Sequence, residues 1–325
     1  MNHGGTIRDV CDTRSVTAVI DEGRRGIRAA VAAYLLWGLL TVYWKQLHQF
    51  DPFELIGWRI ISASIVMAGV VTVGKRWGVL VAAMRRPALT LRLGLAAVLL
   101  TANWTGYVWA VANDRVLETA LGYFMAPLAT MLLGVTVLGE RTSRLQRAAL
   151  VLAAAAVVVL TVSYGRPPWV ALVIAGSWSL YGLLKRQVPL TPIESLAGET
   201  FILLVPAIVL VAAMSGAADS IPSSAGAGSW VLVGLTGVVT AVPLLLFAIA
   251  APRVRFTLLG PLQYLVPSIN LVLGWLVYDE SMPADRLVGF ALVWVALVAV
   301  AVDTVGTPSQ RAERQARDLS PTAGR

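Results

Sequence analysis

Long stretches without a charged residue constrain the fold of this chain more than any other feature of its sequence. Seven of them run for 18 residues or more: 93–113, 119–139, 148–165, 167–184, 200–218, 220–252 and 256–278. A helix needs about 20 mostly apolar residues to cross a bilayer, and its backbone polar groups must bond within the helix because lipid offers no partners. Only 14% of the residues are charged, against about 25% in soluble domains. The sequence therefore predicts a membrane protein.

Shorter apolar stretches with flanks that can snorkel bring the predicted number of transmembrane helices to ten, in an all-α polytopic fold. The predicted helices are 29–48, 54–74, 91–112, 116–139, 146–164, 168–185, 198–215, 229–250, 256–278 and 285–304. A polar leader over residues 1–28 and a polar tail over residues 305–325 flank them. Both are predicted to be cytoplasmic and disordered.

Lysine and arginine are unevenly distributed over the loops that ten helices would produce. Of the 26 such residues, 21 fall on the side that carries both chain ends. Because cytoplasmic loops of membrane proteins are enriched in lysine and arginine, both termini are predicted to be cytoplasmic. These loops also account for the formal charge of +8. No basic stripe with a nucleic-acid motif accompanies that charge, so a nucleic-acid partner is not expected.

Residues of the first half recur in the second half at similar spacings. At an offset of 140, four positions coincide: Phe124, Pro127, Gly134 and Glu140 with Tyr264, Pro267, Gly274 and Glu280. Because each half would hold an odd number of helices, the second half would start from the opposite side of the membrane. We predict two inverted five-helix repeats over residues 29–164 and 165–304. Chance similarity between apolar segments is the alternative.

Two prolines lie in the middle of predicted helices that correspond to each other in this repeat. Pro127 in the fourth helix and Pro267 in the ninth each remove a backbone N–H and free a carbonyl one turn earlier, which favours a kink. Paired interruptions in corresponding helices are typical of transporter binding sites near the midplane, so both prolines are predicted to act as kinks or gates. The alternative is that proline is simply frequent in membrane helices.

Polar and aromatic side chains inside the predicted helices are candidates for a solute-binding cavity. In hydrocarbon such groups seek one another or a wet cavity, so they either line a binding site or join helices as static contacts. The candidates are Asn103, Trp104 and Tyr107 of the third helix, Tyr123 of the fourth, and Gln263, Tyr264 and Asn270 of the ninth.

Lys45 and Arg59 add positive charge towards the outer ends of the first two predicted helices. A cation at the centre of a membrane costs roughly 2.5–3.5 kcal/mol on insertion scales, so such residues usually face the interior of a bundle. We predict that both attract an anionic group of the solute; snorkelling to the interface is the alternative. Glu199 lies near the start of the predicted seventh helix, where the helix dipole favours any carboxylate. Trp44 lies near a span end and fits an aromatic belt.

Several short motifs of the chain are specific when taken together. They are ANWTGYVWAV at 102–111, LGYF at 121–124, LGER at 138–141, YLLWGLLTVYWK at 34–45 and TAVPLLLF at 240–247. These motifs resemble the RarD family of EamA-type permeases, in the drug/metabolite transporter superfamily. The resemblance covers about residues 29–304 and implies a bacterial inner-membrane permease built from two EamA repeats. Ala126 and Asp279 depart from the family pattern, which is expected to have Asn and Gly there.

The predicted function is secondary transport of a small metabolite or drug-like solute across the bacterial inner membrane by alternating access. The predicted partners are the solute and the lipid bilayer, and no cofactor or metal is expected. An intramembrane enzyme and a receptor or scaffold are the alternatives. The only two histidines, His3 and His48, are far apart in the sequence and outside the centres of the spans. Metal-dependent or histidine-activated catalysis is therefore not expected.

Overall fold

The computed structural model describes residues 6–139, 142–185, 187–250 and 262–305, and in those ranges all regular structure is helical, with no strand. In chain order the helices are α1 (Thr6–Lys45), α2 (Pro52–Val73), α3 (Trp77–Met84), α4 (Pro87–Ala112), α5 (Val116–Thr136), α6 (Arg144–Tyr164), α7 (Trp169–Lys185), α8 (Pro192–Met214), α9 (Ile221–Ser224), α10 (Ala227–Ala250), α11 (Leu265–Val272) and α12 (Ala284–Val305). A π-helical turn, Leu273–Val277, continues α11. The predicted all-helical class is confirmed for the described residues.

Eight of the described helices are long and apolar enough to cross a membrane. They are Arg24–Lys45 of α1, α2, α4, α5, α6, α8, Ala227–Phe247 of α10 and Ala284–Asp303 of α12. Two shorter apolar helices, α7 and the segment Leu265–Val277, stand where the sixth and ninth helices were predicted. The first part of that ninth helix falls on residues 251–261, outside the described part of the chain. The count of ten spans stays a prediction.

α1 is longer than the first predicted helix. Its backbone is helical from Thr6 onward, whereas the sequence predicted a disordered leader over residues 1–28. No proline occurs between Thr6 and Lys45, and extending an existing helix costs far less than starting one, so the helix continues backwards from the apolar span. Residues 1–5 and 306–325 lie outside the described part of the chain.

Prolines and caps fix where the spanning helices begin. Pro52 opens α2, and the carboxylate of Asp51 accepts hydrogen bonds from two backbone N–H groups of the first turn. At α8, Thr191 and Glu194 form a capping box around Pro192. These contacts satisfy N–H groups that have no partner within the helix. The predicted start of this helix at residue 198 was therefore wrong by six residues, because the capping box was not recognised in the sequence.

The first of two compact units comprises Met1–Ala126 and Trp169–Ser281. Within it α2 packs against α8 and α10, α4 against α7, and α1 against α10. Glycines allow close approach: a Cβ added at Gly57 of α2 would lie 2.6 Å from Val211 of α8, and one at Gly122 of α5 would lie 2.9 Å from Ile174 of α7. Such small-residue contacts let membrane helices gain van der Waals energy where the hydrophobic effect is absent.

The second unit comprises Pro127–Pro168 and Met282–Arg325. In this unit α6 packs along α12, and the side chain of Leu160 covers Gly289 so closely that any larger residue would collide with it. Both units take residues from the first and the second half of the sequence. The units therefore do not coincide with the predicted halves 29–164 and 165–304, whose boundaries stay a prediction.

Candidate solute-binding site

Arg59 of α2 lies between two tryptophan rings inside the first unit. Its guanidinium carbon is 3.9 Å from the centroid of the Trp104 ring and 5.1 Å from that of Trp44. Its Nε donates a hydrogen bond of 3.0 Å to the hydroxyl of Thr240 on α10. Only 4% of Arg59 is exposed. The side chain therefore faces the interior of the unit and does not snorkel to the interface.

The group around Arg59 holds more hydrogen-bond donors than acceptors. Within the described residues, Arg59 forms no ion pair, and only its Nε has a hydrogen-bond acceptor. Aromatic faces attract a guanidinium but accept few of its five N–H groups. Beside Arg59, the indole N–H of Trp44 is buried without an acceptor in the described part of the chain. A buried donor left unpaired costs free energy, so this group suits a ligand with anionic or carbonyl oxygens.

A continuous chain of hydrogen bonds joins four helices near this group. The hydroxyl of Thr41 on α1 donates to Asn270 Oδ1 at 2.8 Å, so the phenol of Tyr107 must be the donor in its 2.7 Å contact with Thr41. Asn270 Nδ2 in turn donates at 3.3 Å to Thr119, whose hydroxyl donates to the carbonyl of Val116. Each hydroxyl of the chain donates one hydrogen bond, and both amide atoms of Asn270 take part, so the chain fixes the orientation of each group.

Asn103 and Tyr123 form a second polar contact beside this chain. The phenol of Tyr123 donates to Asn103 Oδ1 at 3.3 Å, and Asn103 Nδ2 donates to the hydroxyl of Ser177 at 3.1 Å. The rings of Tyr107 and Tyr123 meet edge to face, with centroids 6.0 Å apart. Both phenols lie within electrostatic range of Arg59. The structure thus brings together five of the predicted residues: Arg59, Asn103, Trp104, Tyr107 and Tyr123, with Asn270 joined to them through Thr41.

Lys45 belongs to a different contact. At the end of α1 its ammonium group pairs with Asp114, which is 73% exposed, and donates to the carbonyl of Val111 at 3.2 Å. The ammonium also lies 5.2 Å from the centroid of the Tyr278 ring. The prediction grouped Lys45 with Arg59, but the described contacts give it an exposed carboxylate partner instead. A pair so open to solvent is worth at most about 1 kcal/mol.

The remaining predicted residues occupy separate positions. Gln263 is exposed, and Tyr264 stacks on Phe124 with ring centroids 6.3 Å apart. The chain turns at these two residues, just before α11 begins. The turn lies about one helical turn before Pro267. A free carbonyl was expected there, because proline has no N–H to bond to it. Pro127 lies within α5, which is unbroken from Val116 to Thr136. The roles of Pro127 and Pro267 as kinks or gates stay predictions.

Four residues of this site were missed in the sequence. Thr41, Thr119 and Thr240 carry buried hydroxyls, and Trp44 was assigned to an aromatic belt although only 1% of it is exposed. Threonine is too common in membrane helices to be a signal by itself. The positions of Thr41 and Trp44, on the same helix and three residues apart, could have indicated one shared face.

Glu199 forms a buried ion pair that was also missed. The capping box that starts α8 at Pro192 puts Glu199 two turns inside the helix, where none of the residue is exposed. Its carboxylate accepts from Lys185 Nζ at 2.7 Å, from the hydroxyl of Ser195 at 2.8 Å and from the phenol of Tyr181 at 3.1 Å. The expectation that Glu199 merely marks the start of a helix was therefore wrong.

Glu280 caps the beginning of α5. Its two carboxylate oxygens accept from the backbone N–H groups of Val116 and Leu117, at 2.5 and 2.9 Å. Burial raises the pKa of Glu280 above its ordinary value, more than these two hydrogen bonds lower it. The preceding residue, Asp279, has a φ of 51°. That left-handed conformation favours glycine, which is the residue that the family pattern was expected to have at this position.

We expect the stability difference between the wild-type protein and Glu280→Gln to depend on pH. Because the folded-state pKa is raised above the unfolded value of about 4.3, folding favours the protonated carboxyl. The stability linked to this group is full below the unfolded pKa and is lost as the pH rises through the folded pKa. Lowering the pH from neutral should thus stabilise the wild type relative to E280Q. Thermal unfolding in detergent measures this, and a difference that is the same at every pH would contradict it.

Comparison with known proteins places the chain among bacterial transporters. The model of the EamA-like transporter family matches residues 24–162. Protein RarD of Streptomyces exfoliatus is 38% identical over 93% of this chain and 96% of its own length. Protein RarD of Escherichia coli is 35% identical over 87% and 96%. The chain belongs to the RarD family of EamA-like transporters.

Other relatives agree with this family. An uncharacterized transporter of Bacillus subtilis, YojE, is 36% identical over 85% of this chain and 93% of its own length. One solved crystal structure aligns with a TM-score of 0.55, covering 85% of this chain and 97% of its own, at 20% identity. At that identity the likeness concerns the fold alone. As a member of the RarD family whose described residues include eight helices able to cross a membrane, the protein is a multi-pass transporter of the bacterial inner membrane.

Proposed function

We propose that this protein is a secondary transporter that moves a small solute with an anionic group and an apolar or aromatic body. Two inverted five-helix halves exchange conformations and expose the solute site to each side of the membrane in turn. The observation that carries the proposal is the buried guanidinium of Arg59, held between Trp44 and Trp104 with no carboxylate partner among the described residues.

The bounds of the helices support the two repeats. α2 and α8 begin at Pro52 and Pro192, α4 and α10 at Pro87 and Ala227, and α6 and α12 at Arg144 and Ala284, each pair 140 residues apart. α1 and α7 end at Lys45 and Lys185 with the same spacing. The residues before Glu140 and Glu280, Gly139 and Asp279, both have a left-handed φ, of 66° and 51°. Helix ends and backbone angles that recur at one spacing favour a repeat over chance similarity between apolar sequences.

Contacts within the first unit support an inverted, two-fold relation between the repeats. α1 packs on α10, and α7, its equivalent, packs on α4, the equivalent of α10. Glu54 near the start of α2 accepts from the backbone N–H of Ile221, just after α8, while Glu194 near the start of α8 pairs with Arg76, just after α2. In each half a glutamate near the start of one helix thus binds the segment that follows the equivalent helix of the other half, which is the reciprocal relation expected across a two-fold axis.

The chemistry around Arg59 supports the class of solute. A guanidinium stacked on indole rings is suited to recognise a carboxylate, and the adjacent rings of Trp104, Tyr107 and Tyr123 offer apolar faces to the rest of the molecule. Removing an anion from water into this site costs little only if the donors are already placed to receive it. The contacts with Trp44 and Trp104 and the hydrogen bond from Nε to Thr240 hold the guanidinium of Arg59 in place, and its other N–H groups have no acceptor among the described residues.

The orientation follows from the distribution of charge. With ten spans, 21 of the 26 lysines and arginines lie on the side of both termini, which the positive-inside rule assigns to the cytoplasm. Arg59, about two turns from the start of α2, would then lie in the outer half of the membrane. The site would be reached from outside near the beginning of α2 at Pro52, and from inside only after the halves rearrange.

Solute counterflow in proteoliposomes tests this function. Vesicles loaded with one of a panel of organic anions should accumulate the same radiolabelled anion transiently, while vesicles without protein or loaded with buffer should not. The panel pairs each aromatic carboxylate with its amide and with its decarboxylated analogue, so the role of the anionic group is measured directly. If the neutral analogues show counterflow at the rate of the acids, the solute does not need an anionic group and that part of the proposal is wrong. If no compound of the panel shows counterflow, the proposed transport of organic anions is contradicted.

A further inference from the structure

A long groove on the first unit is separate from the group around Arg59. It has a volume of about 530 Å³ and is formed by α2, α4, α7 and α8. Along α4 its floor consists of Val98, Ala102, Gly106 and Trp109, which recur every three or four residues and so lie on one face of the helix. Neither Arg59 nor any partner of its hydrogen bond lines it.

The lining and length of the groove fit hydrocarbon. Its walls are apolar and aromatic apart from the threonines Thr101 and Thr105, and the hydroxyl oxygen of Thr101 is buried away from the open space. From Val98 to Trp109 the helix rises about 16 Å, close to the roughly 15 Å depth of one leaflet of the hydrocarbon core. The groove is open to the side, since Val98 is 61% exposed. In a bilayer it therefore faces lipid.

The mouth of the groove has the features of a membrane interface with a cation above it. The rings of Trp109 and Trp169 meet there, with centroids 4.7 Å apart, and indoles favour the level of the headgroups. The guanidinium of Arg115 lies 4.9 Å from the centroid of the Trp109 ring. Among the described residues Arg115 forms no ion pair. Its N–H groups are placed to bind a phosphate just outside the hydrocarbon.

We propose that this groove is a binding site for an anionic phospholipid of the leaflet that the end of α4 reaches. One acyl chain lies along Val98, Ala102 and Gly106, and the phosphate contacts Arg115. The positive charge at one end, the apolar walls and the length of a single leaflet together specify this occupant. With both termini in the cytoplasm, the lipid belongs to the outer leaflet.

Lipid binding to the purified, delipidated protein tests the site. Phosphatidylglycerol and phosphatidylcholine are titrated separately, and native mass spectrometry counts the bound molecules. Ala102→Leu fills the floor of the groove and should weaken phosphatidylglycerol binding roughly tenfold, because its side chain displaces several methylenes of the lipid. Arg115→Gln should remove a preference for phosphatidylglycerol over phosphatidylcholine of roughly fivefold, since one cation near a headgroup gives about that much.

Ala154→Leu on α6 is the matched control, because Ala154 is also an exposed alanine within a spanning helix. It should leave the binding of both lipids unchanged.

Equal phosphatidylglycerol binding by the wild type, A102L and A154L would overturn the proposal. So would a loss of counterflow in A102L with unchanged lipid binding, which would assign the groove to the solute. A shift in oligomeric state with unchanged lipid binding would assign it to a second copy of the chain and overturn the proposal equally. Lipid counts do not depend on transport, so this test can fail independently of the proposed function.

Discussion

Replacing Arg59 with glutamine is expected to reduce the counterflow of an anionic solute roughly 10- to 100-fold, since a hydrogen bond to a charged group contributes about 1.5–3 kcal/mol. Glutamine keeps hydrogen-bonding capacity but removes the charge and the stacking on Trp44 and Trp104. Arg59→Lys should retain part of the activity, because an ammonium preserves the charge but neither the planar fork nor the stacking. Initial rates over a range of solute concentrations measure the effect.

A matched control separates the site from net charge. Arg85→Gln removes one cation at an exposed position just after α3 and should leave counterflow unchanged. Circular dichroism and the elution profile in detergent show whether each variant is folded. If R59Q, R59K and R85Q all transport every tested anion with wild-type kinetics, Arg59 is not part of the solute site.

Glu199→Gln is expected to lower the free energy of unfolding by about 2–4 kcal/mol, because breaking a buried ion pair leaves a charge without its partner. None of Glu199 is exposed, but 24% of the Lys185 side chain is, so water relieves part of the cost. The midpoint of thermal unfolding should fall by several degrees. Unfolding in detergent, followed by circular dichroism, measures the change.

The ion pair between Lys45 and Asp114 is the control for this prediction. Lys45 lies 140 residues before Lys185 and ends α1 as Lys185 ends α7, but its partner Asp114 is 73% exposed. Asp114→Asn should therefore cost at most about 1 kcal/mol. Adding Lys185→Met to Glu199→Gln should recover part of the stability, since the unpaired charge is removed together with its partner. If E199Q and D114N lower the free energy of unfolding equally, the claim that the buried pair contributes more stability than the exposed pair is wrong.

Features that depend on continuous stretches of sequence were predicted well. Membrane helices, their polar ends and the uneven distribution of arginine all follow from the immediate neighbours of each residue, because lipid excludes charge and unpaired backbone groups wherever they occur. The motifs at 102–111 and 121–124 indicated the family, and the later comparison confirmed it. The predicted starts of two helices differ from the structure. α1 extends backwards from its apolar span to Thr6, and the capping box of α8 starts that helix at Pro192.

Contacts between distant residues could not be predicted in this way. Asn270 was selected as a polar residue on the ninth helix, but its bond to Thr41 spans 229 positions of the chain. Lys45 and Arg59 looked alike in sequence, as cations near helix ends. The rotation of α1 and α2 gave Lys45 an exposed carboxylate and Arg59 two indole rings.

The sequence by itself determined that this protein lies in a membrane and to which family it belongs. These properties follow from the cost of placing each residue in lipid, which depends on residue type and local spacing. Only the tertiary structure decided which polar groups meet, that Glu199 is buried against Lys185, and that Arg59 has no carboxylate partner among the described residues. Those outcomes depend on how each helix is rotated against its neighbours, and packing between surfaces far apart in the chain sets that rotation.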